Sequence, residues 1–477
     1  MNNKQQNLED IRFIYEKVTW YLNQKPEDLI LHFQNHDMDI FNDIKNQQGK
    51  IFICGHKSIE KFYNIAKRKL ASEPDKNNKT NLNEFVEKLK TEFLTKFIEN
   101  TEDITQQNID RMISAAYKST SREFEQLTHY IPCTIFFSTS IESFAIGSIE
   151  FFHKRKFELL YGDEINKLRA EIKEEHRKIC ESAISNGFPA DNIATEEQSQ
   201  HLADELVDGL KSWFGNYDSV AVVTIPKCNK KVSYDKAVWA IRTALNILKL
   251  LFGSYYTDEI RTGNDGGVFL ESARLTRKEN GKFDISLLGA SNGNVAGDKW
   301  LDCLKSDNWA YYFILASNTL DLSLSFDNSY PLCSRFIDAL SWYGDAVSEQ
   351  SYAAKIVKYV TAIERLVGTG EEKGRGVTEI VTTRASIIYS IATEESFDIS
   401  KEKVSKIYTC RSDLVHGSKS PFDDSCIDFA YKAEEISRMV LLIGLDYFSL
   451  WGIDSMDITQ RNLREKYNEL ENSFFRG

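Results

Sequence analysis

Hydrophobic residues recur at helical spacing over most of this chain, and the pattern is clearest after residue 330. The segment AAKIVKYVTAIERLVG places Ile356, Val360, Ile363 and Val367 on one stripe and ends at Gly368, a residue typical of helix C-termini. Three further helices are predicted to follow it, over residues 377–392, 400–417 and 423–448. With a helix that begins at Pro331, these segments predict an all-α bundle of about 120 residues.

Proline and capping residues indicate where these helices begin. Pro331 is well placed for a first helical turn, where its missing N–H costs nothing. Ser400 and Asp423 stand at the start of their segments, and their side chains can accept hydrogen bonds from the first backbone amides. We therefore expect these two residues to cap their helices.

The chain before residue 330 mixes helical and strand patterns. Residues 1–130 are predicted to be helical, whereas 131–153 and 219–228 are rich in the β-branched and aromatic residues that favour strands. A hairpin is predicted over 266–289, with its turn at 279–281. The predicted fold class is mainly α with a smaller β-containing N-terminal part, that is α+β, followed by the all-α bundle.

This pattern predicts three parts of the chain. Residues 1–330 form an α+β region with a sub-boundary near residue 215, residues 331–455 form the helical bundle, and residues 456–477 form a C-terminal helix. The chain starts with MNNKQQNLEDIRF, which lacks the apolar core of a signal peptide. We therefore expect a cytoplasmic protein without a membrane-spanning segment.

Metal and cofactor sites are not predicted. The eight cysteines are scattered along the sequence without a C-x-x-C pair, so we expect reduced thiols rather than a zinc site or a disulfide framework. The glycine-rich stretches 289–298 and 368–376 lack the lysine and hydroxyl residue of a phosphate-binding loop, which favours ordinary loops. We expect no cofactor.

The net charge of −12 argues against constant, non-specific binding of nucleic acid. Such binding depends on neutralisation of phosphates by lysine and arginine. A negative net charge does not exclude one local basic site that binds nucleic acid.

An arginine followed a few residues later by a histidine occurs three times in the chain. The pairs are Arg122 with His129, Arg169 with His176, and Arg411 with His416. The spacing alone carries little information, because matches of this kind arise by chance. The first two pairs lie in strongly polar segments, which indicates surface positions.

Arg411 is different because of its place on the predicted helix. The apolar stripe of that helix runs through Val404, then Ile407 and Tyr408, then Arg411, then Leu414 and Val415. The arginine therefore occupies a slot that faces the core. A buried guanidinium without partners is expensive, so we expect a partner for it.

His416 falls in the last turn of the same helix, before Gly417 as a natural C-terminal residue. An imidazolium is favoured at the negative end of the helix dipole. A purely structural interpretation is therefore available. In it, Arg411 pairs with Asp413 or with a glutamate to hold the bundle together, and His416 only stabilises the helix end.

The C-terminal part of the chain resembles a HEPN domain of the Apea-like branch in three segments: ALSWYGDAV (339–347), TAIERLV (361–367) and CRSDLVHG (410–417). HEPN domains are α-helical bundles that commonly act as metal-independent ribonucleases in toxin–antitoxin and phage-defence systems. Their signature is an arginine followed by a histidine, which Arg411 and His416 match. Many members carry Asn, Asp or His directly after the arginine, whereas this chain has Ser412 and then Asp413, so these two are expected to support the site.

The resemblance implies a ribonuclease that is used in anti-phage defence by abortive infection. It implies RNA as substrate, catalysis by Arg411 and His416, and a homodimer, or a higher even-numbered homo-oligomer, formed through the HEPN domain. Residues 1–330 would then act as a sensor that restrains the nuclease until a phage-derived trigger arrives.

Two alternatives remain from the sequence. In the first, the bundle is a non-catalytic HEPN-type module that dimerises or binds a ligand. In the second, the N-terminal region is itself an enzyme that uses its own cysteine or histidine residues, although no nucleophile–base arrangement is recognisable there.

Overall fold

The protein is mainly α-helical with a small β-containing part, which confirms the predicted fold class. A computed structural model describes residues 3–25, 27–29, 32, 43–46, 48–73, 78–135, 141–185, 195–263, 272–277, 283–288, 299–326, 329–372 and 374–476. The chain divides into two compact units, Met1–Leu127 with Thr224–Lys236 and Ser325–Asn328, and Thr128–Val223 with Ala237–Leu324 and Ser329–Gly477.

Among the described residues, the first unit consists mostly of four α-helices, a π-helical segment (Leu94–Glu99) that follows the third of them, and a short antiparallel hairpin. The elements are α1 (Asn3–Asn23), β1 (Asp43–Lys45), β2 (Ile51–Ile53), α2 (His56–Ala71), α3 (Leu82–Phe93) and α4 (Gln106–Arg122). The helices close around a shared apolar core in which Ile14, Phe62 and Phe93 have no exposed surface. The helical prediction for this part is confirmed, although the hairpin was not predicted.

A buried carboxylate fixes the first helix of this unit. Asp10 of α1 is only 8% exposed, and it accepts hydrogen bonds from Lys61 Nζ at 2.6 Å and Arg68 Nη2 at 2.5 Å, both on α2. Two cations on one carboxylate offset the cost of its burial, so the pairing fixes the register of α1 on α2.

A five-stranded sheet has the strand order β4-β5-β6-β3-β7. Its strands are β3 (Glu125–Thr134), β4 (Ser143–Ile146), β5 (Ile149–His153), β6 (Ser219–Cys228) and β7 (Arg261–Thr262). β5 runs antiparallel to both β4 and β6, with Phe151 opposite Ala221. The strands predicted within 131–153 and over 219–228 are thus confirmed.

Six helices and a further hairpin complete the chain up to residue 330, among the residues that the structure describes. They are α5 (Lys154–Ser185), α6 (Glu196–Gly215), α7 (Lys230–Phe252), α8 (Ser254–Thr257), β8 (Ser272–Arg277), β9 (Phe283–Leu288), α9 (Trp300–Cys303) and α10 (Asp307–Ser323). β8 and β9 pair antiparallel, as predicted. The predicted turn, residues 279–281, lies outside the described residues.

The C-terminal part contains the five bundle helices and the C-terminal helix that the sequence predicts. They are α11 (Pro331–Val347), α12 (Tyr352–Val367), α13 (Val377–Thr393), α14 (Phe397–Val415), α15 (Ser425–Leu450) and α16 (Gln460–Arg476). The last of these corresponds to the C-terminal helix predicted over 456–477.

Of the two predicted caps, the one at Ser400 is wrong, whereas Asp423 caps the first amide of α15 from one residue before the N-cap position. α14 starts three residues before Ser400, so this serine lies fully buried inside the helix and Ser396 takes the N-cap position. The prediction failed because an apolar stripe does not show where a helix begins. The N-cap of α15 is Asp424. Asp423 still accepts a hydrogen bond from the Ser425 N–H at 2.9 Å.

The carboxyl end of α12 is held by buried side-chain donors. The last carbonyls of a helix have no partner within it and need donors from elsewhere. Arg335 of α11 donates from Nη1 to the carbonyls of Arg365 at 2.6 Å and Gly368 at 2.7 Å. The Tyr467 hydroxyl of α16 donates to the Leu366 carbonyl at 3.0 Å. Three helices thereby meet at one point.

Arg384 of α13 fills the space beside this helix end and has no exposed surface. Its Nε donates to Glu471 at 2.7 Å, its Nη1 to the Thr369 hydroxyl at 2.5 Å, and its Nη2 to Glu372 at 3.0 Å. The guanidinium also lies over the Tyr467 ring, 4.7 Å from its centre. All three nitrogens of the buried cation therefore have partners, which makes burial tolerable.

The longest bundle helix, α15, is tied to the end of α7. Arg438 Nε donates to the Leu250 carbonyl at 2.8 Å. Glu434 accepts from the backbone N–H of Ser254 at 2.6 Å and also from its hydroxyl. Arg438 thus provides a donor for a free carbonyl at the end of α7, and Glu434 provides an acceptor for a free amide at the start of α8.

We predict that Glu471→Ala strongly destabilises the second unit. The substitution leaves the Arg384 charge buried with one carboxylate fewer, so the free energy of unfolding should fall by about 3 kcal/mol. Denaturation by guanidinium, followed by circular dichroism, measures this change.

Glu465→Ala is the matched control because it removes a carboxylate from the same helix. Glu465 pairs with Arg461 at the surface, where both side chains are more than half exposed. This variant should lose no more than about 0.5 kcal/mol. Equal losses in the two variants would contradict the role given to Arg384.

Candidate functional site

Arg411 lies near the end of α14 and pairs with Glu364 of α12. Its Nη2 donates to Glu364 Oε2 at 3.0 Å, and the two side chains are 24% and 21% exposed. The expectation that Arg411 needs a partner is confirmed. Among the two pairings that the sequence left open, the structure has the glutamate and not Asp413.

Tyr408 completes this arrangement from the preceding turn of α14. Its hydroxyl donates to the other carboxylate oxygen, Glu364 Oε1, at 2.7 Å. Burial raises the pKa of Tyr408, and the hydrogen bond to Glu364 raises it further, so the hydroxyl remains a donor at neutral pH. Tyr408, Glu364 and Arg411 are hereafter called the arginine triad.

The guanidinium of Arg411 is only partly satisfied. Its Nε is buried and has no hydrogen-bond partner among the described residues. A buried donor without an acceptor is unfavourable, and natural proteins contain few of them. Arg411 therefore differs from Arg384, which uses all three of its nitrogens.

His416 occupies the C-cap position of α14, and its side chain is exposed. The backbone N–H groups that follow turn back onto the helix, from Gly417 to the Leu414 carbonyl at 3.4 Å and from Ser418 to the Asp413 carbonyl at 2.8 Å. Gly417 has φ +76, which a residue with a Cβ rarely adopts. The glycine thus ends the helix directly after the histidine.

Ser412 and Asp413 support this helix end through their main chains. The Ser412 carbonyl accepts from the His416 N–H at 2.9 Å, and the Asp413 carbonyl accepts from both Ser418 and Lys419. The contacts that the structure gives them are therefore with the histidine turn and not with the Arg411 guanidinium.

The structure does not bring Arg411 and His416 onto one face of the helix. Five residues of α-helix correspond to about 7.5 Å along the axis and about 140° around it. Accordingly, Arg411 is turned toward α12 while His416 faces solvent. A single chain therefore presents an arginine and a histidine at one helix end, but not directed at one point.

The predicted apolar stripe of α14 is correct only in its first part. Val404 and Ile407 are each 1% exposed, as expected for core positions. Val415 is 52% exposed, and Leu414 is half-buried, so the core ends near Arg411. The last turn of α14 is thus more exposed than its middle, which periodicity alone cannot reveal.

Four large apolar side chains are exposed between the end of α14 and the first turns of α15. Val415 precedes His416, Phe422 in the following loop is 93% exposed, and Ile427 and Tyr431 near the start of α15 are 43% and 60% exposed. We call these four residues the apolar rim. An exposed group of this kind next to a candidate site is typical of an interaction surface.

The loop that carries Phe422 is held by polar contacts. Lys419 Nζ donates to the Ser425 hydroxyl at 2.7 Å and pairs with Asp423 at 3.2 Å. The Phe422 N–H donates to the Ser420 hydroxyl at 3.2 Å. The aromatic ring is therefore presented to solvent by a loop with fixed backbone contacts.

The other two arginine–histidine pairs have separate structural surroundings. Arg169 of α5 pairs with Asp204 at 2.8 Å and with Asp208, both on α6. His176 Nδ1 lies 2.8 Å from the Ser199 hydroxyl. Arg122 is exposed at the end of α4, whereas His129 lies half-buried on β3, and burial lowers its pKa.

The glycine-rich stretch 368–376 belongs to the structure of the bundle. Its residues Thr369 and Glu372 are partners of Arg384, and the Thr369 carbonyl accepts from Arg464 Nη2 at 2.7 Å. The other glycine-rich stretch, 289–298, lies entirely outside the described residues. Within the described ranges, no group of three or more His, Cys, Asp or Glu residues could hold a metal ion.

A polar cavity of about 620 Å³ lies in the second unit. Asn246 and Lys249 of α7 line it, and both are at least nine-tenths buried. Lys249 Nζ donates to the Ser348 hydroxyl at 2.7 Å, while Asn246 Oδ1 is buried without a partner in the described part of the chain. Eight charged residues line the cavity: Arg242, Lys249, Asp258, Glu259, Arg261, Asp345, Glu349 and Lys358.

None of the described helices is long and apolar enough to cross a membrane. Compared with known proteins, the chain matches no family model, no curated protein and no solved structure.

Sequence reasoning missed that Glu364 and Tyr408 form the arginine triad with Arg411. Both residues stand in segments that carry the family resemblance or adjoin it, TAIERLV and CRSDLVHG. One signal that could have found them is that each is a polar group next to the apolar stripe of its helix. However, Glu364 and Arg411 are 47 positions apart, so a local sequence pattern does not show that they are in contact.

Proposed function

We propose that the protein is a metal-independent endoribonuclease whose active site combines Arg411 and His416 from two copies of the chain. The observation that supports this most is the end of α14, which carries a partly satisfied arginine and an exposed histidine and is followed along the chain by exposed apolar side chains. The resemblance of 339–347, 361–367 and 410–417 to HEPN ribonucleases points in the same direction.

The chemistry needs the two residue types that this helix end supplies. Cleavage of RNA without a metal requires a base for the 2′-hydroxyl, an acid for the leaving 5′-oxygen and positive charge on the phosphate. Histidine can take either proton-transfer role near neutral pH, and arginine stays charged and grips phosphate oxygens in pairs. The products would be a 2′,3′-cyclic phosphate and a 5′-hydroxyl.

One chain supplies only part of this set. It offers one histidine and one arginine that are about 140° apart around their helix. A two-fold dimer through this face would place two histidines and two arginines around one cleft, so that one histidine acts as base and the other as acid. The proposed site is therefore complete only in the dimer.

The apolar rim supports dimer formation at this face. Phe422 is among the most exposed large apolar side chains of the described residues, at 93%. Burial of such side chains against a second copy removes apolar surface from water, and a two-fold axis brings the same patch to itself. RNA is the proposed substrate, and a higher even-numbered assembly would repeat this dimer.

We further propose that residues 1–330 restrain the nuclease until a phage-derived signal binds. RNA cleavage would then stop an infected cell from producing phage, as in abortive infection. The support for this role is the family resemblance, together with the net charge of −12, which suits an enzyme that binds RNA only at one local site.

We predict that the purified protein cleaves RNA in the presence of EDTA and that Arg411→Ala and His416→Ala each lower the rate at least about 100-fold. The loss follows from removal of the phosphate contact or of the proton-transfer group. Gel analysis of labelled RNA measures the rate, and mass spectrometry of the fragments should find 2′,3′-cyclic phosphate ends.

Arg461→Ala is the control, because Arg461 is an exposed arginine of α16 that pairs only with Glu465. This variant should cleave as wild type does. If Arg411→Ala and His416→Ala also cleave at the wild-type rate, the site assignment is wrong.

We predict that Phe422→Asp weakens the dimer at least about tenfold, because it places a charge within the buried part of the interface. Analytical ultracentrifugation measures the dissociation constant. Leu159→Asp, at a leucine of α5 that is 79% exposed, is the control and should leave the dimer intact. Equal dimerisation of both variants would place the interface elsewhere.

The alternative function is that of a non-catalytic module that binds a ligand, and the polar cavity favours it. The volume is within the range of small-molecule sites. A buried acceptor without a partner, Asn246 Oδ1, and charges of both signs suit a hydrophilic ligand rather than an apolar one.

Under this alternative, the purified protein carries a small polar molecule that mass spectrometry detects after denaturation. Lys249→Met should abolish its retention by removing a charged donor from the wall. Lys406→Met on the exposed face of α14 is the matched control and should retain it. Absence of any such molecule from the wild-type protein would count against the ligand-binding alternative.

A further inference from the structure

We propose that Glu364 is a positioning residue that holds Arg411 in a resting orientation and must release it before RNA phosphate can bind. This inference rests on the proposed ribonuclease function and concerns the control of that same site. In this proposal, the arginine triad determines the apparent affinity of the enzyme for RNA.

The first step concerns the edge of the guanidinium. An arginine grips a phosphate best with two neighbouring N–H groups on one edge. In Arg411, Nη2 donates to Glu364 at 3.0 Å, and the adjacent Nε is buried from solvent. The edge formed by these two nitrogens is thus closed to an incoming phosphate in this conformation.

The second step concerns the carboxylate itself, which is fixed from both sides. Tyr408 donates to Glu364 Oε1 at 2.7 Å while Arg411 holds Oε2. Arg335 fixes the backbone of α12 next to Glu364 and one turn later, because it donates to the carbonyls of Arg365 and Gly368. These contacts hold Glu364 independently of Arg411, so we assign the movement to Arg411.

The third step concerns the balance between the two orientations. The ion pair is partly exposed, with 24% and 21% of its side chains accessible, so water weakens it. The unpartnered Nε of Arg411 is an unfavourable feature of the resting orientation. A phosphate can therefore compete with Glu364 for the arginine, and the carboxylate raises the RNA concentration at which this happens.

The test is steady-state kinetics of RNA cleavage with Glu364→Gln, which keeps the shape of the side chain and removes its charge. We expect the KM for RNA to fall roughly two- to fivefold, the range for release of a partly exposed ion pair, with kcat little changed. A purely structural role of Glu364 would not lower KM. The double variant Glu364→Gln with Arg411→Ala should show no gain, because the effect acts through the arginine.

Asp338→Asn is the matched control. Asp338 of α11 forms a surface ion pair with Arg365 of α12, the residue next to Glu364. The substitution changes the net charge by the same amount and should leave KM at the wild-type value. Tyr408→Phe is a second variant, which keeps the charge of Glu364 but removes the hydrogen bond that holds its carboxylate. The KM of this variant should also fall, but by less than that of Glu364→Gln.

The outcomes separate this inference from the proposed function. If cleavage requires Arg411 and His416 while Glu364→Gln leaves KM unchanged or raises it, the resting-orientation inference is wrong and the nuclease assignment stands. If Arg411→Ala and His416→Ala cleave as wild type does, or no variant cleaves RNA, both fail together.

Discussion

The carboxyl end of α12 is the constraint on which the C-terminal bundle depends. A helix that ends inside a core leaves carbonyls that water cannot reach, and each needs a donor. Arg335 and Tyr467 supply hydrogen bonds from two other helices, and Arg384 fills the adjoining space with its own carboxylate partners. Because guanidinium groups are tolerated in a core only with partners, the positions of Glu372 and Glu471 follow from this requirement. The same helix end fixes the backbone one turn after the glutamate that contacts the candidate active site.

Two arginines in this bundle show how burial separates a structural role from a functional one. Arg384 has no exposed surface, and all three of its nitrogens have partners, so it has no capacity left for a ligand. Arg411 is 24% exposed, has one carboxylate partner and keeps a nitrogen without an acceptor. The residue type is identical, and the difference comes from position, since Arg411 lies where the core of α14 ends and His416 leaves the bundle. Incomplete satisfaction at the edge of a well-satisfied core is the physical basis for the proposed phosphate contact.

Local sequence patterns could predict the helices but not the contacts that organise them. Gly368 and Pro331 marked the end of α12 and the start of α11 correctly, because both signals are local. Ser400 misled because a buried serine and a capping serine look alike in sequence. The partners of Arg384 and Arg411 lie up to 87 and 47 positions away, so no periodicity could identify them. The need for a partner at Arg411 was predictable from the cost of burying a charge, whereas its identity was not.

The most direct test of this account is a crystal structure of the protein with a 2′-deoxy-substituted RNA that cannot be cleaved. The account predicts a two-fold dimer in which both His416 side chains face one scissile phosphate. It also predicts that Arg411 has left Glu364 and contacts the phosphate oxygens, with the apolar rim buried between the two copies. An RNA bound elsewhere, with each Arg411 still paired to its own Glu364 and each His416 in solvent, would contradict it.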